Sequence, residues 1–286
     1  MVSSPKIILL LLGFMLFRQF VWGQSPWTKS KSEGYTQIGY TLLPTYQEIL
    51  QSSGESKLLE RQITDQTFQL YTEVGLAEKL SLIAFIPFKI LEAQGLNFIS
   101  RPKPLTEKGK LNAFGNARLG LKKGFTTTSI EQAFELQIEL PTSAQNLNSG
   151  LVSGFDAFAY AVSYSIGKSF SQNLYGFAYG GAIIRSNGFS NQFRLGFEGG
   201  YSIKQKAWFI LYLDYLGLIE QNQKSFDPRQ EINGLYLDEQ SYLSPGLKLI
   251  YPFPKKWFLN LGVGGAIQAN NLAASPALSL GLAKEW

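Results

Sequence analysis

Ile-Glu-Gln-Ala-Phe-Glu-Leu-Gln-Ile-Glu-Leu, residues 130 to 140, is the segment from which the architecture follows. In an extended chain successive side chains point to opposite faces. Phe134, Leu136, Ile138 and Leu140 then share one face, while Glu131, Ala133, Glu135, Gln137 and Glu139 share the other. One face is greasy and the other is charged. A soluble sheet packed on a core contains such strands too. Here the pattern recurs along most of the chain, with no helical period between repeats, up to the last residue. That repetition predicts an all-β protein: a closed, transmembrane, up-and-down antiparallel barrel with lipid outside and a polar lumen inside.

Twelve segments carry the pattern. They are Tyr35 to Leu43, Ile63 to Gly75, Leu80 to Glu92, Phe114 to Phe125, Ile130 to Leu140 and Gly154 to Ile166, then Leu174 to Ile184, Gln192 to Lys204, Trp208 to Leu218, Tyr242 to Tyr251, Trp257 to Ala269 and Pro276 to Trp286. Pro44 is expected to end the first strand, leaving residues 44 to 62 as a polar loop with its turn at Ser52-Ser53-Gly54. Pro87 is the weak point of the third, because proline removes a ladder hydrogen bond. Long and short connections alternate, as they do in a barrel with tight periplasmic turns and longer extracellular loops. A soluble sandwich has no reason to sort its loops by parity.

Parity also nominates residues. A hairpin turning at Thr126 to Ser129 would bring Arg118 to Glu135 and Lys122 to Glu131 on the inner face, where cross-strand pairing lets a lumen tolerate charge. The lumen candidates are Arg118, Lys122, Glu131, Glu135, Gln137, Glu139, Arg194 and Glu198. In Leu174 to Ile184, Tyr175, Phe177 and Tyr179 are expected outside, with Gly176, Ala178, Gly180 and Ala182 inside. The facing of Trp208 to Leu218 stays open. Phe125, Trp208, Trp257 and the terminal Trp286 adjoin short turns or the chain end, which predicts an aromatic girdle at the periplasmic interface.

Composition narrows the chemistry. Aromatic residues make up 14 % of the 286 and charged residues 16 %, below the roughly 25 % charged of soluble domains. There is no cysteine and no histidine, which excludes disulfides, thiolate nucleophiles, an imidazole general base and metal sites built on either residue. A carboxylate calcium site remains open on composition. Gly262-Val263-Gly264-Gly265 lies within a strand and lacks the strand-to-helix context of a dinucleotide loop. Neither an enzyme nor a cofactor is expected.

The first residues read as a secretory signal: Lys6, an apolar run from Ile7 to Phe17, then Val21-Trp22-Gly23. The run is too short to span a bilayer, which takes about 20 residues. Arg18 behind it keeps a retained anchor as the alternative. The expected division is a signal peptide over 1–23 and one barrel domain over 24–286. Removing 1–23 takes Lys6 and Arg18 and no acid, changing the net charge from +5 to +3. That balance, on scattered charges, is not a nucleic-acid footprint.

Tyr35 to Tyr40, Leu70 to Phe88 and Phe114 to Leu121 resemble the Gram-negative outer-membrane proteins named for the MetA pathway of phenol degradation, a family distantly similar to fatty-acid-type transporters. The final strand, with Leu278, Leu280, Leu282 and Trp286, is similar to the signal read by the barrel-assembly machinery, although Lys284 replaces a usual hydrophobe. Gly115-Asn116 stands where the family carries Gly-Asp. The resemblance implies residence in the outer membrane, contact with its lipid and with the assembly machinery, and a small-molecule solute. Two functions follow: a passive channel or uptake pore for small solutes, including small hydrophobic compounds, or a non-conducting barrel that presents its extracellular loops.

Overall fold

The computed structural model describes residues 25–96, 106–204, 206–222 and 224–286. Residues 1–24, which include the expected signal peptide, and residues 97–105 of one long connection lie outside the described residues.

Period-two alternation produces an antiparallel ring. Its first half is β1 (Gly34–Leu50), β2 (Ser56–Ala77), β3 (Leu80–Ala93), the broken stave β4 (Gly109–Phe114) and β5 (Ala117–Thr127), and β6 (Ile130–Leu140). A small hairpin, β7 (Gln145–Asn146) and β8 (Leu151–Val152), stands apart from the ring. The wall continues through β9 (Ala159–Ser171), β10 (Leu174–Arg185), β11 (Gln192–Ile203), β12 (Ala207–Leu218) and β13 (Ser241–Phe253). It ends in two further interrupted staves, β14 (Trp257–Gly264) with β15 (Gln268–Asn270) and β16 (Leu272–Ala273) with β17 (Ala277–Glu285). Taking each interrupted stave as one gives twelve. The last pairs with the first, from Tyr35↔Glu285 to Leu42↔Leu278, so the ring closes and no edge is left to aggregate.

The outer face carries the apolar residues of this alternation. Ile38 is 66 % exposed, Leu136 62 % and Leu211 57 %, while the inward Gln37, Glu135 and Ile210 are each 3 % exposed. Only a lipid solvent makes that arrangement stable. Among the described residues no helix is long and apolar enough to cross a membrane. A short helix, α1 (Pro228–Asn233), is N-capped by Asp227 and stopped by Gly234 at φ 64.

Several boundaries differ from those expected. β1 runs through Pro44 to Leu50, and residues 44–62 are mostly strand around the turn at Gly54. Pro44 is tolerated because β17 stops pairing at Leu42 and the β1–β2 register shifts between Leu43 and Tyr46. Pro87 likewise sits where β3 changes partner, from β5 below Phe85 to β4 above Phe88. Its carbonyl still accepts from Gly115 N at 2.9 Å. The sixth strand starts at Ala159, because residues 154 to 158 belong to a segment folded into the barrel. The Trp257 to Ala269 strand is interrupted between Gly264 and Gln268.

Two corrections alter the interior. The turn after β5 centres on Thr128 and Ser129, with Thr128 at φ 60. The pairs therefore become Arg118↔Glu139 and Lys122↔Glu135, not Arg118 with Glu135 and Lys122 with Glu131. β10 also faces the other way: Phe177 and Tyr179 are each 8 % exposed and point inward with Tyr175, leaving Gly176, Ala178, Gly180 and Ala182 to the lipid. This wall fills the lumen where it was expected to leave room.

Candidate functional site

The interior has four layers from the periplasmic end outward. The first is a strap, Ser25 to Glu33, folded back into the mouth ahead of β1. Pro26 is fully buried, and Trp27 meets Tyr175 and Phe177 edge-on at centroid distances of 5.6 and 5.8 Å. Lys29 N donates to Ser81 Oγ at 3.0 Å, and Ser32 N to the Gly75 carbonyl at 2.9 Å. Three inner-face glycines make space for it. A Cβ at Gly75 would collide with the Ser30 carbonyl, one at Gly124 would sit 3.0 Å from Thr28, and one at Gly167 2.9 Å from Pro26. Lys29 Nζ closes the strap with an ion pair to Glu285 at 2.6 Å.

Above the strap the inner face is cross-linked by a polar network. Lys122, fully buried, pairs with Glu73 at 2.8 Å, and Glu73 also accepts from the Tyr71 hydroxyl at 3.1 Å. Gln137 donates to Glu135. On the wall formed by β10 to β13, Lys248 pairs with Glu198 at 2.6 Å, Tyr175 donates to Glu198 at 3.0 Å, and Tyr179 donates to Asp214. Asn260 donates to Gln37 at 2.5 Å and to the Tyr35 hydroxyl at 3.1 Å. Buried charge and amide persist here because each has a partner on the same or a nearby stave of the inner face.

The third layer is a cavity of about 210 Å³. Its wall carries two ion pairs, Lys89 with Asp65 at 2.6 Å and Arg185 with Glu139 at 3.3 Å, together with Arg118 and Arg194. Phe85 lies under the Arg118 guanidinium at 4.3 Å, and Phe155 under that of Arg185 at 4.1 Å. Tyr46, Leu216, Leu235 and Tyr236 supply apolar surface.

The fourth layer is a cap built from the connections. Residues 141–158, which carry β7 and β8, bend inward and are held by Asn116. Its amide donates to the Leu140 and Phe155 carbonyls at 3.1 and 2.8 Å, while its oxygen accepts from Phe155 N at 2.7 Å. A carboxylate could accept but not donate, so Asn at this position suits the inward loop. Buried Ile49, Leu59, Ile63, Leu91 and Ala273 of the wall pack on Leu151, Val152 and Leu235 of the connections. Arg61, with 0 % exposure, ties three connections together. It donates to Asn233 Oδ1 at 2.8 Å, to the Glu107 carbonyl at 2.7 Å and to the Ser149 carbonyl.

Arg118, Lys122, Glu131, Glu135, Gln137, Glu139, Arg194 and Glu198 all fall on the inner face by register, but they do not form one cluster. Glu131 lies near the periplasmic mouth on Thr126. Lys122, Glu135, Gln137 and Glu198 belong to the network, and Arg118, Glu139 and Arg194 to the cavity. Of the aromatic group, Phe125, Trp257 and Trp286 face outward, with Trp286 50 % exposed. Trp208 does not: it has the parity of Ile210 and Tyr212 and packs on Tyr175 at 5.4 Å, inside the barrel. The sequence reading missed Asp65, Glu73 and Lys89, although each lies opposite an outward apolar series whose parity was visible. Arg61 and Arg185 carried no such signal, because they lie outside the predicted strands.

No protein-family model matches the chain, and no curated protein matches it. Among solved structures it is similar to an outer membrane channel from Pseudomonas putida F1. The identity is 14 %, the TM-score 0.71, and the alignment covers 93 % of this chain and all of that one. The KdgM porin aligns at a TM-score of 0.46 with 10 % identity over 87 % of this chain and 98 % of its own. The Pseudomonas putida toluene transporter TodX aligns at 0.44 with 10 % identity over 90 % of this chain and 89 % of its own. At those two values the likeness carries no argument. The fold is that of a Gram-negative outer-membrane β-barrel.

Proposed function

We propose that the chain is a passive pathway for small solutes across the outer membrane, held shut in this conformation by the cap and the strap. The observation that carries this reading is the cavity of about 210 Å³ within a twelve-stave lumen, left between two closures made of connecting chain and not of wall. Barrels of about eight strands are filled by their own side chains, and those of sixteen or more hold open channels. Twelve leaves a lumen that extra segments can block and release. The alternative of a barrel that presents extracellular loops is less well supported, because residues 141–158 and 226–240 fold inward onto buried partners.

The reading is non-enzymatic. It is supported by the absence of any imidazole and by an inner face whose carboxylates are taken up in ion pairs and hydrogen bonds. Phe125, Trp257 and Trp286 then anchor the periplasmic interface, and the strand ending in Trp286 is what the assembly machinery recognises. Mature protein in planar bilayers should show conductance steps, and liposomes carrying it should admit small solutes. A protein that is folded by heat-modifiable gel mobility yet neither conducts nor admits solute would overturn the proposal. Deleting Trp286 should lower the amount of folded barrel in the outer membrane.

A further inference from the structure

We infer that the outer wall of β11 to β14, β17 and β1 holds one anionic phospholipid of the leaflet facing the periplasm, its acyl chains in a groove of that wall and its phosphate on the lysines of the turns below. The site lies on the lipid side of the barrel and does not depend on the solute pathway.

Charge sorts the periplasmic turns. Residues 204–206, between β11 and β12, and 254–256, between β13 and β14, hold four lysines and no acid. Lys204, Lys206, Lys255 and Lys256 are all exposed. The β12–β13 ladder, which starts at Trp208↔Ile250, sets the two turns side by side. The other three short turns carry no net charge: Glu78-Lys79 is balanced, and Thr128-Ser129 and Gln172-Asn173 are neutral. Glu285, the acid at the end of neighbouring β17, is taken by Lys29. Turn geometry does not call for lysine at these places. Lys204, Lys255 and Lys256 have φ of 50, 61 and 59, a conformation that glycine or asparagine adopts more readily. Clustered lysines at a membrane surface attract anionic lipid headgroups.

Shape supplies the other half. Above these turns six adjacent staves form an apolar groove of about 890 Å³ on the outside of the ring. Its periplasmic edge is the Tyr201↔Phe209 pair, next to the turn that carries Lys204 and Lys206, and Leu249, Leu261 and Leu280 continue it up the wall. Gly199, which faces outward between Phe197 and Tyr201, leaves the gap open: a Cβ there would meet nothing closer than the Phe197 ring at 3.6 Å. Exposed Tyr251, Phe253 and Trp257 lie between the groove and the second pair of lysines. Lys284 Nζ lies over the Trp257 ring at 5.3 Å. Aromatic residues at that level mark the boundary between hydrocarbon and headgroups, so the lysines sit at the depth of phosphates and the groove at the depth of acyl chains. A second copy seated in the groove about an axis normal to the membrane would bring two sets of these lysines together, which like-charge repulsion opposes.

The test uses the full mature protein in detergent, with dioleoyl phosphatidylglycerol and dioleoyl phosphatidylethanolamine as probes in native mass spectrometry. One phosphatidylglycerol should be retained per barrel about tenfold more tightly than phosphatidylethanolamine, and glycerol phosphate should not displace it. Lys204→Gln, Lys206→Gln, Lys255→Gln and Lys256→Gln combined should abolish that preference, while Lys123→Gln, exposed on the outer face of β5, should leave it unchanged. Gly199→Leu fills the groove and should weaken both lipids alike. Where the combined variant fails to fold, the wild-type preference together with Gly199→Leu decides. Equal retention of the two lipids by the wild type would overturn the inference, as would an undiminished preference in the folded lysine variant or undiminished binding in Gly199→Leu. Displacement by glycerol phosphate, which would mark a site for free phosphate, or a dimer of the chain in place of bound lipid would overturn it equally.

Discussion

The two closures of this barrel are built on different physics. At the extracellular end the cap is a small hydrophobic core: buried Ile49, Leu59, Ile63 and Leu91 of the wall meet Leu151, Val152 and Leu235 of connections distant in sequence. Its polar centre, Arg61, serves three connections at once. At the periplasmic end the strap is a short segment seated in notches left by Gly75, Gly124 and Gly167, anchored by one buried proline, one indole and a partly exposed ion pair. Removing the cap exposes apolar surface and strands buried polar groups, while releasing the strap does little of either. The difference predicts that the strap moves first and that the cap unfolds only with the upper part of the barrel.

That contrast can be broken most decisively at Arg61. Arg61→Ala leaves the Asn233 amide and two carbonyls without their charged donor, and buried groups so stranded cost about 1–3 kcal/mol each. Denaturant unfolding in detergent should show a loss of about 3 kcal/mol or more, together with increased conductance. A variant as stable as the wild type would mean that the cap does not depend on this side chain. Next in size is Gly75→Ala, whose methyl group meets a backbone carbonyl of the strap. Overpacking of this kind costs about 1–3 kcal/mol, and here it should be relieved by expelling the strap. Limited proteolysis should then cut within residues 25–33 while the barrel keeps its gel mobility; an uncut strap would refute the notch.

Trp27→Ala removes two edge-to-face contacts, worth about 0.5–1.5 kcal/mol each beyond area burial. It should raise bilayer conductance modestly and leave unfolding of the barrel unchanged. The smallest effect is expected from Lys29→Gln. Its pair with Glu285 is partly solvent-exposed, so less than about 1 kcal/mol is at stake. Raising the salt concentration should mimic the variant in the wild type and do nothing further in the variant. A salt effect of equal size in both would show that the pair does not hold the strap.

The strand β6 shows what was legible from sequence. Its bounds, Ile130–Leu140, and its facing coincide with those read from alternation, because lipid on one side and water or charge on the other leave no second way to place Phe134 and Glu135. β10 shows where that logic fails. Aromatic residues are at home in lipid and in a packed interior, so large-versus-small alternation has no sign of its own. The hydroxyls of Tyr175 and Tyr179, with acceptors on Glu198 and Asp214, decide that they point inward. Asp214, alone among the apolar residues of β12, was the available clue, since a buried carboxylate needs a donor. The two-residue error in the β5–β6 turn had a similar origin, because any of Thr126, Thr127, Thr128 and Ser129 can occupy a turn and only the full ladder fixes which one takes the positive φ.

The amino-acid sequence alone determined the closed antiparallel barrel, the number of staves, the lipid-facing residues of staves such as β6 but not of β10 or β12, and the chemistry excluded by a chain without histidine or cysteine. These are consequences of local period and composition, which each segment carries independently of the rest. Tertiary structure alone decided that residues 141–158 and 226–240 turn inward, that the strap occupies the mouth, and that Lys89, Arg118, Arg185 and Arg194 gather around one cavity. Such contacts join residues far apart in the chain, so they exist only after the ring has closed and brought opposite walls within reach of one another.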